Sequence, residues 1–474
     1  MTDALKKIHQ ASIRILEEIG IRIHHSGALK RLKEKGIRIE DDIVFFTESQ
    51  VMHWVDKAPG RFTLYARNSD YNFLIGGNRT TYATGYGTPT IVEADGSRRP
   101  ALMSDFLDFA RLVHTSSYFN INGGILVQPS DIPADLSQIL MTYATLTHSD
   151  KCLMGLPGSP EEVVHIMEMA AIANGGTDTL KQRPHVLTMI STISPLQIDR
   201  LALDSMMTCA SYNQPLIISP APAAGLTGPV TMAGNVSLAN AEALACIAVA
   251  QILKEGLPVI YGLQSYAADM QSGQISIGSP GYSIQAKYCA GMARMYGLPS
   301  RTGGTNTDAK GVCAQSGYES MMSMMSACQN GVNLIVHSAG ILDSYGASSF
   351  EKFICDLEVI SMVEAYLSDM THDPEDFAFD AIKSAGIGGQ FLTSPHTAQR
   401  CRTHSWHPTI GSRGFAASDD PNRAIMENCQ KEKEKMLERY TRPELEKETE
   451  DCLRDYLINR AGAPKELVER IDKR

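Results

Sequence analysis

The segment Leu216 to Gly262, LIISPAPAAGLTGPVTMAGNVSLANAEALACIAVAQILKEGLPVIYG, admits few folds. A short apolar run (Leu216 to Ser219) passes through a Pro/Gly-rich loop into a long Ala-rich stretch (Asn235 to Glu255). A second apolar run, Pro258 to Tyr261, follows. Leu238, Ala241, Ala245, Ala248 and Ile252 recur at helical spacing on one face, and Gly256 and Pro258 stop the helix. The flanking runs are too short to be helices. A crossover helix of this length between two buried strands makes those strands parallel. The loop between Pro220 and Gly234 exceeds the roughly two to six residues of an ordinary βα connection. It reads as a functional loop at the carboxyl end of its strand, where α/β enzymes keep their sites, or as a plain surface insertion.

The same unit recurs along the chain. Helix-like segments at 104–114, 134–147, 160–173, 197–211, 235–255, 282–296, 313–330 and 350–369 alternate with apolar runs at 119–122, 152–155, 186–190, 216–219, 258–261, 299–302, 333–337 and, less clearly, 390–393. Eight strands, each separated by a helix, predict an α/β protein with a closed (β/α)8 TIM barrel over residues 101–400. An open doubly wound sheet is the rival, but no G-x-G-x-x-G follows the first strand and the regular spacing gives no reversal of strand order.

Residues 1–100 form an N-terminal helical and β-rich extension. Its first helix carries Leu5, Ile8, Ser12, Ile15, Leu16 and Ile19 on one face with charges opposite, which is an amphipathic helix and not a signal peptide. From Gly36 to about Arg99 apolar and polar residues alternate between Gly, Asn and Asp breaks, an antiparallel pattern expected to pack near the barrel mouth. Residues 401–474 end in charge-rich helices that suit packing, or contact between copies in a homo-oligomer, better than chemistry.

Composition narrows the function classes. With 43 Lys+Arg against 53 Asp+Glu and a formal charge of -10, the chain has no nucleic-acid footprint. Its ten scattered cysteines include no C-x-x-C and read as reduced residues of a cytoplasmic protein. No run of 18 apolar residues suggests a membrane span.

Barrel logic directs attention to residues just past each strand. These include Asn122, Gly123 and Gly124, Ser191 and Thr192, Tyr261, Gln264 and Tyr266, Thr302 to Asn306, then His337 and the loop with Asp343, Tyr345 and Phe350; ahead of the barrel, Tyr86 sits in or beside a Gly-flexed hairpin. The set is rich in aromatics and amides and poor in paired acids. Tyr86 is placed either to cover the sheet or to touch a ligand. G-x-S-x-G, H-E-x-x-H and G-x-x-x-x-G-K-[ST] are all absent. His396, Cys401, His404 and His407 are the only metal-like cluster, and their spacing matches no usual zinc pair, so no metal is expected. The glycine-rich GLPSRTGGTNTDAKG suggests a phosphate nest or a close backbone approach to a ligand.

The central stretch, together with GGTNTDAKGVCAQSGYES, NLIVHSAGILDS and IGGQFLTSPHTAQR, resembles the trimethylamine methyltransferase superfamily of corrinoid-dependent enzymes over nearly the whole chain. The resemblance implies a (β/α)8 barrel that moves a methyl group from an amine onto the cobalt of a corrinoid carried by a separate partner protein. The archetype places pyrrolysine in the loop after the seventh strand. Here that loop reads AGILDSYGASSF, all standard residues, which resembles the branch acting on quaternary amines. Glycine betaine is the first substrate expected, with proline betaine, carnitine and γ-butyrobetaine as alternatives, and a betaine-binding barrel without turnover as a different class. Aromatic faces hold quaternary ammonium groups, so Tyr86, Tyr261, Tyr266, Tyr345 and Phe350 are the cage candidates. His337, Gln264, Asn306 and Arg301 are candidates for the carboxylate end, His337 foremost because it is the first polar side chain after an apolar strand.

Overall fold

The computed structural model describes residues 2–414 and 420–473. Eight parallel strands form the barrel: β1 (Thr81–Tyr82), β2 (Ile121–Gly123), β3 (Cys152–Gly155), β4 (Val186–Ile190), β5 (Leu216–Ile218), β6 (Val259–Gly262), β7 (Ser300–Gly303) and β8 (Leu334–Val336). From β2 to β8 each pairs with the next, β8 pairs with β1, and an isolated parallel bridge from Tyr82 to Phe119 closes the ring ahead of β2. After each strand comes a helix: α1 (Met103–Thr115), α2 (Ser137–His148), α3 (Pro160–Ala173), α4 (Arg200–Ser211), α5 (Met232–Leu253), α6 (Pro280–Met295), α7 (Ala314–Gln329) and α8 (Phe350–Leu367).

One expected strand is corrected. Residues 390–393 form no strand; they are exposed, with Leu392 85% accessible, in a stretch beyond α8. The missing barrel strand is Thr81–Tyr82, which lies before residue 101. Two residues carry no apolar run of their own, whereas FLT does, so the sequence pattern favours the wrong segment.

Strand alternation sorts side chains into two cores. Ile121, Leu187, Ile217, Ile260, Leu334 and Val336 fill the barrel interior, where they meet Phe62, Leu64 and Ile75. Those three come from the antiparallel pair Arg61–Leu64 and Phe73–Gly76. That hairpin plugs the amino-terminal end of the barrel: Tyr65 N donates to Pro184 O just before β4, and the Gly60 backbone lies against Gly297 just before β7. This part of the β-rich segment therefore lies opposite the mouth, contrary to expectation. A second pair, Thr90–Val92 with Arg98–Pro100, joins Ile341–Leu342 and Ala347–Ser348 at the carboxyl end.

Helix α5 is apolar on every side because it is covered on every side. The N-terminal helices Thr2–Glu18, Ser26–Glu34 and Glu48–Val55 all pack over it, leaving Ala241, Ala243, Ala245 and Ala248 fully buried. Small side chains let two layers approach one helix. By length and composition α5 is apolar enough to cross a membrane, but in this fold it is a buried core helix.

Candidate active site

The carboxyl ends of β1, β5, β6, β7 and β8 converge on one recess. Arg301, in the middle of β7, is fully buried and reaches across to β5, where its Nη1 donates to Ser219 Oγ at 2.8 Å. The same nitrogen donates to Oε1 of Gln264, two residues past β6, and Gln264 Nε2 in turn donates to the Tyr345 hydroxyl. Arg301 Nε and Nη2 have no partner, and among the described residues no carboxylate pairs with this cation. Leaving a buried charge uncompensated is costly. An anionic group arriving from outside would remove that cost.

Aromatic rings line the space beside the guanidinium. His337 follows β8 directly, with φ +56, and its ring centroid lies 4.7 Å from that of Tyr345 and 6.5 Å from that of Tyr86. Tyr266 stands edge-on to Tyr345 at 6.3 Å. Tyr86, at the end of the β1 segment, is anchored by its hydroxyl, which donates to Gly155 O at the end of β3, 2.5 Å away. Tyr282, in the first turn of α6, accepts a hydrogen bond from Gly303 N at 2.9 Å. A side chain at Gly303 would overlap the Tyr282 hydroxyl and the Asn306 amide, so glycine there is a packing requirement.

Electrostatics fixes the protonation states. Burial, and secondarily the charge of Arg301, holds the His337 imidazole far below its ordinary pKa, so the ring is neutral. Its Nδ1 has no hydrogen-bond partner. Burial raises the Tyr345 and Tyr86 hydroxyls and pushes Tyr266 up to about 12, so all three stay protonated. The recess thus holds one fixed positive charge beside neutral π faces, a pattern that suits a zwitterion whose carboxylate meets Arg301 and whose cation meets the rings.

Of the expected residues, the structure brings together His337, Tyr86, Tyr345, Tyr266, Gln264 and Arg301. Asn306 lies close by, fully buried, with both amide atoms unpartnered. Two others lie elsewhere. Tyr261 points outward from β6 into the helix layer, where its hydroxyl donates to Asn240 Oδ1 on α5 at 2.6 Å and its ring packs on Tyr296. Phe350 opens α8 and stacks on Phe109 of α1, with ring centroids 4.2 Å apart. Ser219 and Tyr282 were missed; Ser219, just past β5, sits where the strand-end rule looks, whereas Tyr282 lies beyond the hairpin after β6, in the first turn of α6, where that rule gives no signal. His396, Cys401, His404 and His407 lie on the stretch after α8, and among the described residues no group of three or more His, Cys, Asp or Glu is gathered to hold a metal.

The family model described as trimethylamine methyltransferase (MTTB) matches residues 1–463. The chain is 40% identical over 461 residues to the glycine betaine methyltransferase of Desulfitobacterium hafniense (strain Y51), covering 97% of this chain and 96% of that protein. It is 29% identical over 470 residues to the proline betaine:corrinoid methyltransferase of Eubacterium limosum, covering 96% of each. Among solved structures, the monomethylamine methyltransferase of Methanosarcina barkeri superposes with a TM-score of 0.52 at 13% identity, over 92% of this chain and 88% of that one, a likeness in fold alone.

Proposed function

We propose that this chain, a methyltransferase that belongs to the trimethylamine methyltransferase family, takes one methyl group from glycine betaine and delivers it to the corrinoid of a partner protein. The observation that carries this reading is the buried Arg301 fork, open at Nε and Nη2 and tied through Gln264 to Tyr345. One side chain separates the anion-binding end from the aromatic end, a spacing that favours the short glycine betaine over carnitine or γ-butyrobetaine, whose charges lie further apart. Overall similarity to a glycine betaine methyltransferase supports the same choice.

A quaternary ammonium already carries the charge that lets a neutral amine depart. The cobalt of the partner's reduced corrinoid supplies the electron pair that forms the new bond to carbon; the old C–N pair stays on nitrogen, and dimethylglycine leaves without any proton moving. No general base is needed, which fits a recess of neutral rings and one guanidinium. Arg301 with Gln264 holds the carboxylate end. Tyr86, Tyr266 and Tyr345 hold the ammonium, each face contributing about 0.5 to 2 kcal/mol. His337, neutral and wedged between Tyr86 and Tyr345, completes the wall and offers a donor. Together they exclude water and orient one methyl outward, toward the acceptor.

The test mixes protein, corrinoid protein and reductant with a panel of betaines and follows the corrinoid spectrum. A change that requires glycine betaine supports the proposal. A response to proline betaine or carnitine instead would move the substrate, and tight betaine binding with no spectral change would leave a binding protein.

A further inference from the structure

Two separate loops supply the facing rings of the recess. Tyr266 lies on a hairpin, Tyr266–Ala268 with Ile275–Ser276, whose first strand also pairs with Ala223–Ala224 of the long loop after β5. Tyr345 lies on the loop after β8, at the end of three consecutive left-handed residues: Asp343, Ser344 and Tyr345 have φ of +54, +51 and +72. Such a run is sparsely populated for residues with a Cβ and persists only where the surroundings hold it.

The surroundings are explicit. Asp343 is paired with Arg98 Nη1 at 2.7 Å and with Lys310, and its backbone N donates to Ala309 O at 2.9 Å. Asp308 is the point where the two loops meet. Its Oδ1 accepts from Ile277 N at 2.8 Å and from Ser344 Oγ at 2.7 Å. Its Oδ2 accepts from Ser276 Oγ at 2.7 Å and from Gly278 N at 3.1 Å. One carboxylate therefore grips the end of the Tyr266 hairpin and the residue next to Tyr345. Asp308 is itself fixed to the barrel wall, since its backbone N donates to Glu319 of α7 at 2.8 Å.

We infer that Asp308 is a positioning residue that sets the gap between Tyr266 and Tyr345, and thereby the size of the ammonium group the site accepts. This rests on the reading of those tyrosines as walls of an ammonium site. Asp308 does not touch the substrate. It acts through the two loops, and every hydrogen bond it makes to them needs a carboxylate that accepts four times.

Asp308→Asn replaces one acceptor oxygen with a donor that faces donors. In the ligand-free protein, amide hydrogen exchange at 266–278 and 343–346 should quicken together while the barrel strands stay protected. The KM for glycine betaine should rise about tenfold, as expected when only about a tenth of the free protein holds both loops in the binding arrangement, with kcat changed much less. The ratio of kcat/KM for glycine betaine over the bulkier proline betaine should fall. Unchanged exchange in the two loops overturns the inference whatever the substrate proves to be, and quickened exchange with unchanged KM and selectivity overturns it as well. If the Asn variant does not fold, Ser344→Ala removes only the link to the Tyr345 turn; it should shift exchange at 343–346 and KM in the same directions, and no shift in either overturns the inference. Wild-type protein that binds no betaine would instead sink the functional reading, and that result is visible before any variant is made.

Discussion

The ring of His337 lies 4.7 Å from that of Tyr345, tilted by 46°, although the two residues leave β8 through backbone conformations that side chains rarely adopt. The strand delivers His337 to the mouth, and the left-handed turn folds Tyr345 back over it. If His337 donates to the betaine carboxylate, His337→Ala should weaken binding by the roughly 1.5 to 3 kcal/mol of a hydrogen bond to a charged group, with little change in melting temperature. Calorimetry and thermal melts on one preparation decide this; unchanged affinity at unchanged Tm removes His337 from the site.

Arg301→Lys keeps a positive charge but loses the planar fork and at least one of its two bonds, to Ser219 or to Gln264. The KM for glycine betaine should rise about 10- to 100-fold, from the loss of a charge-assisted hydrogen bond worth about 1.5 to 3 kcal/mol. A KM within twofold of wild type would place the carboxylate elsewhere.

Tyr345→Phe retains the π face and loses only the hydroxyl's links to Gln264 and Tyr282, whereas Tyr345→Leu loses the face itself. Leucine should therefore raise Kd by about 2- to 30-fold, the equivalent of roughly 0.5 to 2 kcal/mol of cation–π attraction, and phenylalanine by less. Equal effects of the two would argue that the hydroxyl, and not the ring, matters.

Tyr261→Phe separates stability from binding. The change strands the buried Asn240 Oδ1 and should cost about 1 to 3 kcal/mol of stability, read from denaturant melts, while leaving KM unchanged. A raised KM at full stability would return Tyr261 to the site.

Much of this architecture is legible in the residues, and the failures have physical causes. NLIV leads into His337, whose left-handed φ of +56 breaks the strand's alternation after the inward Val336 and brings its ring to those of Tyr86 and Tyr345. Tyr261 keeps the alternation of its strand and fails through parity: Ile260 takes the inward position, so its neighbour must face the helices. Thr81–Tyr82 is hidden because a two-residue strand has no periodicity to detect. The isolation of Arg301 from every carboxylate among the described residues is a property of three dimensions, invisible in a chain that is acidic overall.

Three buried histidines bear on acid stability. Burial pushes His148 and His185 down to about 4 and holds His337 well below its ordinary value. Each is neutral when folded and binds a proton when unfolded below about 6.5. Their stabilisation is therefore complete above pH 6.5 and is lost as pH falls toward 4, each adding a slope of about 1.4 kcal/mol per pH unit. Melts of His185→Gln should show a shallower fall over that window; an identical pH profile would contradict the shift.

The most direct test of the account measures dimethylglycine. Wild-type protein, corrinoid protein and reductant are incubated with glycine betaine beside an Arg301→Gln sample of matched melting temperature. The account predicts one dimethylglycine formed per corrinoid methylated in the wild type, and a rate at low substrate reduced at least tenfold in the variant. Equal rates from both proteins, or methylated corrinoid without dimethylglycine, would contradict it.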